Sequence, residues 1–373
     1  MPEFRRRIKL VSLAALLLCT GMAASSAPDS YGGRLQQARQ GVAALQQWYD
    51  AAQGTYRTTG WWNSANALTA LIDYARLGKS NEYNFLIANT FVAAQNQNAG
   101  FLNRYYDDEG WWALAWIDAY DLTGNKQYLV MAESIFANMS GGWDQTCGGG
   151  IWWSKDRTYK NAIANELFLS VAAHLANRDT AHRDEYLGWA NREWKWFAAT
   201  GMINRDDLVN DGLGPAHGPT TAASCGNNGR TTWTYNQGVL LGGLAELSRL
   251  NPNPSLLQTA QKIAAAAIAH LADQNGVLRE PCEPHCGADA VQFKGIFVRN
   301  LVALDRASPQ LAYGAFLEAN AHAIWSRDRG PGGQFGEVWS GPFADANAAS
   351  QSSALDALVG AAELEPTDKR NTQ

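Results

Sequence analysis

The links between the helix-patterned stretches of this chain alternate between short and long, and that alternation restricts the fold more than any single motif. Apolar residues recur at i, i+3, i+4 and i+7, as at Leu68, Leu71, Ile72 and Ala75, which is the spacing of one face of an α-helix. No stretch of any length shows the apolar–polar alternation of a strand. The pattern predicts twelve helices, over about 34–53, 62–78, 81–97, 109–123, 127–139, 159–177, 182–200, 232–249, 255–272, 289–306, 309–328 and 347–363. After each even-numbered helix the link is short: KS, GNK, RDTA, NPNP, SP. After each odd-numbered one it is long or rich in glycine and aromatic residues, as in QNAGFLNRYYDD, SGGWDQTCGGGIWWSKD and RDRGPGGQFGEVWSGPF. Helices joined by short links run antiparallel, so every long loop emerges at one end of the molecule. Six such hairpins in a ring make an all-α (α/α)6 barrel, with its irregular loops gathered on one face.

The two sets of helices differ in composition. Odd-numbered helices are charged, as in HRDEYLGWANREWKWFAA, whereas even-numbered ones are apolar and rich in small residues, as in NQGVLLGGLAEL and SSALDALVGAA. The even set is therefore the expected inner ring. Its N-termini (WWNSAN, DDEGWW, KNAIANE, TYNQG, ADAVQFKG, ANAASQSSA) all point at the loop face. Helix caps account for one polar residue at each, but not for a polar cluster one or two turns deep.

Residues 1–27 read as a secretory signal peptide: a basic RRRIK, an apolar run too short to span a membrane comfortably, then the small residues ASSA. Leu18 before Cys19 does not fit a lipoprotein signal, so the product is expected to be secreted and unanchored, with residues 28–373 forming one catalytic domain and acting as a monomer. Of the 30 basic and 35 acidic residues the leader holds four and one, leaving 26 and 34 and a net charge of −8. No basic stripe is present, which argues against nucleic acid and anionic membranes as partners. Four cysteines remain, an even number that suggests two disulfides in a secreted chain. Of the three pairings, the closeness of Cys282 and Cys286 favours Cys282–Cys286 with Cys147–Cys225. CEPHC, with His285, lacks the second ligand pair of a structural zinc site.

Within NRYYDDEGWWALAWIDAY, Asp107 and Asp108 adjoin at the start of a predicted inner helix, flanked by tyrosines and tryptophans. Neighbouring carboxyls cannot easily both ionise, so one pKa rises. The chain holds 15 tryptophans, many in glycine-rich or polar segments, and indole planes stack on the C–H faces of sugar rings. A polar, aromatic-lined cup with two carboxylates meets the needs of glycoside hydrolysis. One carboxyl protonates the leaving oxygen while the other attacks or activates water. Placing the pair at a helix cap lets both side chains enter the cup, at a spacing nearer the ~5–5.5 Å of a retaining enzyme than the ~6.5–9.5 Å of an inverting one. A second pair, Asp206–Asp207, opens no helix and ranks below it.

The segments YYDDEGWWALAWIDAYDLTGN, GGGIWWSKDRTYKNAIANELFLSVAAHLA, LVNDGL, WTYNQGVLLGGLAEL and QFKGIFVRNL resemble glycoside hydrolase family 76, the α-1,6-mannanases, in order and over most of the chain. The resemblance implies an (α/α)6 barrel, retaining cleavage of α-1,6-mannosidic bonds in α-mannan, and no cofactor or metal. It also implies Asp107 as nucleophile, Asp108 as general acid/base, a pair that burial could reverse, and sugar contact by Asp211. Further substrate-binding candidates are Trp62, Asn66, Trp112, Asn165, Tyr235, Asn236, Gln237 and Lys294 at inner-helix starts, with Asp144 and Trp339 in loops. For any one polar residue among them, capping or bridging between helices is the alternative. Three other functions compete: transglycosylation by the same aspartates, mannan binding without turnover, and another (α/α)6 chemistry such as a lyase. The polar end EPTDKRNTQ offers no hydrophobic anchor signal and favours hydrolysis over the first; two intact aspartates argue against the second; a lyase for uronates needs a basic cleft, where the inner-helix starts offer mainly Lys160 and Lys294.

Overall fold

The computed structural model describes residues 31–215 and 218–364; the expected signal segment lies outside the described residues. The long helices are α1 (Tyr31–Leu45), α2 (Trp61–Leu77), α3 (Asn84–Ala93), α4 (Tyr106–Thr123), α5 (Lys126–Ser140), α6 (Ala162–Arg178), α7 (Arg183–Ala199), α8 (Thr234–Leu250), α9 (Pro254–Leu271), α11 (Phe293–Ala307), α12 (Leu311–Arg327) and α13 (Ala348–Leu364), with a single turn, α10 (Gly287–Ala290), before α11. α2 packs on α4, α4 on α6, α6 on α8, α8 on α11, α11 on α13, and α13 back on α2. That closed circuit is the inner wall of an (α/α)6 barrel, built from the six helices expected there. The remaining helices pack outside it.

Small residues draw the inner wall tight. A Cβ added to Gly238 of α8 would lie 2.5 Å from the Phe297 Cα, and one on Gly295 of α11 would lie 2.6 Å from the Ser353 Cα of α13. At these two positions backbone meets backbone, and no side chain fits. The apolar faces between the layers are closed by large residues, Trp112, Trp116, Phe168, Phe197 and Phe297 among them, all buried.

Two boundaries differ from expectation in ways that matter for the site. The first helix stops at Leu45, and a short hairpin follows, β1 (Tyr49–Asp50) against β2 (Thr55–Tyr56). Its turn is set by the Asp50 carboxylate, which accepts from the Ala52 and Gln53 amides at 3.0 and 3.2 Å, and by Gly54 at φ +68°. The sixth helix begins at Ala162, where the Asn161 side chain caps it by accepting from the Ala164 amide at 3.3 Å. Tyr159 and Lys160 therefore lie in extended chain ahead of the helix, beside the loop that carries Asp211. Both disulfides, Cys147–Cys225 and Cys282–Cys286, follow the favoured pairing. Among the described residues no helix is long and apolar enough to cross a membrane.

Candidate active site

The loop face opens on a cleft of about 580 Å³ lying over the N-termini of the inner helices. Its floor is four aromatic rings in a circuit. Trp62 of α2 meets Trp111 of α4 at 5.7 Å, Trp111 meets Tyr235 of α8 at 6.5 Å, Tyr235 stacks on Phe293 of α11 at 3.7 Å, and Phe293 returns to Trp62 at 6.0 Å. Four inner helices thus supply one ring each. Tyr105 and Trp153, with ring centroids 4.9 Å apart, form one wall. Such planes offer flat apolar surfaces of the kind that pack against C–H groups.

Asp107 and Asp108 both line this cleft. Tyr105 is the cap of α4, so both aspartates sit inside its first helical turn, a correction to the expected cap position. Successive helical residues point ~100° apart, and the two meet one cavity because it wraps around the exposed end of α4. Asp107 accepts from the Trp153 indole N–H at 2.9 Å; Asp108 accepts from the Asn103 amide at 2.6 Å. Burial raises the Asp107 pKa well above the ordinary carboxylate range, and the neighbouring Asp108 charge raises it further, against the Trp153 hydrogen bond. Burial also raises Asp108, to about 6; its bond from Asn103 opposes the rise and the charge of Asp289 adds to it. Asp107 is the drier of the two. Burial raises both carboxyls, and a single proton held between them would make an acid and an anion side by side.

Asp211 lines the same cleft, its carboxylate accepting from the Tyr159 hydroxyl at 2.6 Å, with burial raising its pKa and Tyr159 and Arg230 opposing. Trp62 donates its indole N–H to Asp289 at 2.9 Å. Of the residues expected to touch substrate, Asp211, Trp62 and Tyr235 line the cleft together with the two aspartates.

The others are placed elsewhere. Trp112 follows Trp111 by one residue and so turns outward, packed among Trp61, Phe101 and Trp116 at 4.8, 4.9 and 5.8 Å. Asn165 and Gln237 clamp the loops. The Asn165 carboxamide accepts from the Ile151 amide at 2.7 Å and donates to the Ile151 carbonyl at 3.0 Å; Gln237 does the same to Val209 at 2.7 and 2.9 Å. Asn320 and Gln351 do similar work in other loops, accepting from the Leu278 and Phe335 amides and donating to the Gly276 and Gly333 carbonyls. Asn66 donates to the Trp62 carbonyl at 3.3 Å and accepts from Arg299, behind the floor. Asn236 is fully buried in α8, away from the cleft, with no hydrogen-bond partner among the described residues.

Two buried lysines explain the two loop candidates. The Lys160 ammonium lies over Trp152 and donates to the Asp144 carboxylate at 2.8 Å and to the Thr146, Gly149 and Gly150 carbonyls at 2.7, 2.6 and 2.9 Å. Burial raises the Asp144 pKa, but its bonds from Lys160 and Trp152 outweigh burial and hold it at about 2. Lys294 lies over Trp339 at 4.6 Å and donates to Glu283 and, at 2.6 Å, to the Glu337 carbonyl. Asp144, Lys294 and Trp339 are thus loop anchors. Asp206 and Asp207 form an exposed turn capped by Asn204. His217 lies outside the described residues.

Eight cleft residues went unpredicted: Tyr105, Trp111, Trp153, Tyr159, Asn161, Arg230, Asp289 and Phe293. Asp289 and Phe293 belong to ADAVQFKG, whose inner-helix start was itself a signal. Trp153 and Tyr159 flank the N-terminus of α6. Among the described residues no group of three or more His, Cys, Asp or Glu is arranged to hold a metal ion.

The model of glycosyl hydrolase family 76 matches residues 35–370. A putative mannan endo-1,6-alpha-mannosidase of Schizosaccharomyces pombe is 28% identical over 277 residues, covering 68% of this chain and 60% of its own. Mannan endo-1,6-alpha-mannosidase DFG5 of Candida albicans is 26% identical over 270 residues, covering 67% and 59%. The chain therefore spans about 60% of the length of these relatives. Among solved structures, the alpha-1,6-mannanase GH76A of Salegentibacter sp. HEL1_6, in a variant inactivated at two consecutive aspartates and bound to alpha-1,6-mannotriose, superposes with a TM-score of 0.81 at 23% identity, over 89% of this chain and all of that one. Dfg5 from Chaetomium thermophilum, in complex with glucosamine, gives 0.78 at 23%, over 90% and 92%. At this identity the superpositions speak for the fold.

Proposed function

Because the chain belongs to glycosyl hydrolase family 76, we propose that it is a secreted endo-α-1,6-mannanase that cleaves the backbone of α-mannan with retention. The observation that carries the reading is the consecutive pair Asp107–Asp108, both raised by burial, over a floor of four aromatic rings. A Salegentibacter relative inactivated at two consecutive aspartates and holding alpha-1,6-mannotriose supports it.

A mannose ring lies on the aromatic floor with its anomeric carbon toward Asp107. Asp107 attacks as the anion, so the proton that burial favours on it in the empty cleft must reside on Asp108 when attack occurs. Positive charge developing at the anomeric carbon draws the equilibrium that way, and the Trp153 N–H stays on the Asp107 anion. Asp108 gives its proton to the leaving glycosidic oxygen as the covalent mannosyl–Asp107 ester forms. Water enters, Asp108 takes its proton, and hydroxide opens the ester to leave mannose of the starting configuration and a reprotonated pair. Asp211, held by Tyr159, accepts from hydroxyls of the same sugar.

Debranched α-1,6-mannan incubated with the protein should yield short oligosaccharides, and NMR of the first product should show the α anomer. Asp107→Asn and Asp108→Asn should each lose nearly all turnover. A β first product would overturn retention, and loss of activity in Asp206→Asn with Asp108→Asn active would move the site.

A further inference from the structure

The side chain of Asn103 is fixed at both ends. Its Oδ1 accepts from the Tyr105 backbone amide at 2.7 Å, so its NH2 group must be the end that faces Asp108, and it donates to Oδ2 at 2.6 Å. A flipped carboxamide would set an oxygen against a carboxylate and lose the Tyr105 bond. The backbone N–H of Asn103 in turn donates to Glu109 Oε1 at 3.3 Å, and that oxygen also accepts from Lys155 at 2.8 Å. Glu109 is fully buried one residue beyond Asp108, and its other oxygen has no hydrogen-bond partner among the described residues. Of the cleft-lining residues, this arrangement meets Asp108 through its carboxylate and Tyr105 through its backbone amide.

We propose that Asn103, clamped by the Glu109–Lys155 ion pair, is the positioning residue that holds Asp108 in the acid/base role. This rests on the reading of Asp108 given above. Burial and the charge of Asp289 raise Asp108, the Asn103 donor lowers it, and the Asp108 charge in turn raises its neighbours Asp107 and Glu109. Glu109 itself is raised to about 7 by burial, with Lys155 opposing. The donor favours the Asp108 anion. Glu109, when ionised, disfavours it, and Lys155 offsets Glu109.

Two near-isosteric variants then act in opposite directions. Asn103→Asp keeps the acceptor for Tyr105 but loses the donor and adds a negative charge. Its basic limb of kcat/KM, which reports the free enzyme's essential acid, should move up by about one to two pH units, the worth of a hydrogen bond to a charged group. Glu109→Gln keeps an oxygen for Asn103 and Lys155 but removes the charge that Glu109 carries above about pH 7, so a basic limb in that range should move down, and Glu109→Gln/Lys155→Met should return it toward the starting value. Carbon-13 NMR titration of the Asp108 carboxyl in the same folded variants should show the same shifts without substrate. Limbs and carboxyl titrations that stay in place, or that move the same way in both variants, would overturn the proposal. Azide rescue of Asp108→Ala on an aryl α-1,6-mannobioside separates this from failure of the underlying reading. An α-mannosyl azide keeps Asp108 as acid/base, whereas rescue to the α azide by Asp107→Ala instead would reverse the pair and withdraw the proposal with it.

Discussion

At the scale of single residues, the site depends on which polar groups are free. Trp153 shows this directly. Its ring packs on Tyr105 and its N–H serves Asp107. Trp153→Phe keeps a plane and removes the donor, so the Asp107 anion loses a hydrogen bond worth about 1.5–3 kcal/mol. Turnover should fall roughly ten- to a hundredfold, with the acidic limb of the pH profile moving up because a nucleophile with a higher pKa ionises later. Steady-state rates on debranched α-1,6-mannan across pH check this; an unmoved limb would mean the N–H does not act on Asp107. The carboxamides teach the opposite lesson. Asn165 and Gln237 stand at inner-helix starts and read from sequence as sugar contacts, yet each is consumed by one backbone amide and one carbonyl of a loop. Sequence shows that a polar group sits near the loop face; it does not show which backbone comes within 3 Å of it. Asn165→Leu should therefore act on stability, at about 1–3 kcal/mol for each orphaned group of Ile151. Thermal unfolding would read the loss, and an unchanged midpoint would return Asn165 to the list of substrate contacts.

At the scale of elements, the helices were legible because their period and the alternation of their links are set by burial, which sequence records. Starts were less so. The expected beginning at 159 overlooked Asn161 as a cap, which frees Tyr159 to hold Asp211. The expected beginning at 109 left the aspartates outside α4, whereas they stand in its first turn. The loops carry the chemistry and are joined by the two disulfides very unequally. Cys147–Cys225 closes a separation of 78 residues and ties the loop bearing Trp153 to the loop bearing Asp211 and Arg230, while Cys282–Cys286 closes one of 4. In the chain-entropy account the long closure is worth roughly 4–5 kcal/mol and the short one about 2. Cys147→Ser/Cys225→Ser should accordingly lower the unfolding free energy by about twice as much as Cys282→Ser/Cys286→Ser. It should also cost activity while the protein is still folded. Denaturant unfolding of both pairs, with mannan hydrolysis at low temperature, decides it; equal losses would mean that the unfolded chain already holds these loops together.

At the scale of the whole molecule, the barrel encloses many carboxyls, and their environments set a pH dependence of stability with a definite sign. Burial raises Glu280 to about 8, against the Thr234 hydroxyl and Lys294; it raises Asp328 to about 7 against Lys294, and Asp356 to about 7 against Arg299. Glu166 and Glu193, fully buried, are raised well above the ordinary range by burial as well. A carboxyl whose pKa is higher in the folded state keeps a proton that the unfolded chain has already released. Its contribution is complete below about pH 4, where both states are protonated, and is lost as pH rises to the folded value. These groups therefore subtract stability together between about pH 5 and about pH 8. Asp144, held at about 2 by Lys160 and Trp152 against burial, runs the other way, but its contribution is complete above the ordinary carboxylate value and constant over that window. The midpoint of thermal unfolding should thus be highest on the mildly acidic side and fall steadily toward pH 8. Asp328→Asn, which puts a permanently neutral group among Lys294, Glu283 and Glu337, should flatten part of the slope. A midpoint that climbs from pH 5 to pH 8 would mean that the buried acids are ionised in the folded barrel, and that Lys294 and Arg299 outweigh burial where they meet them.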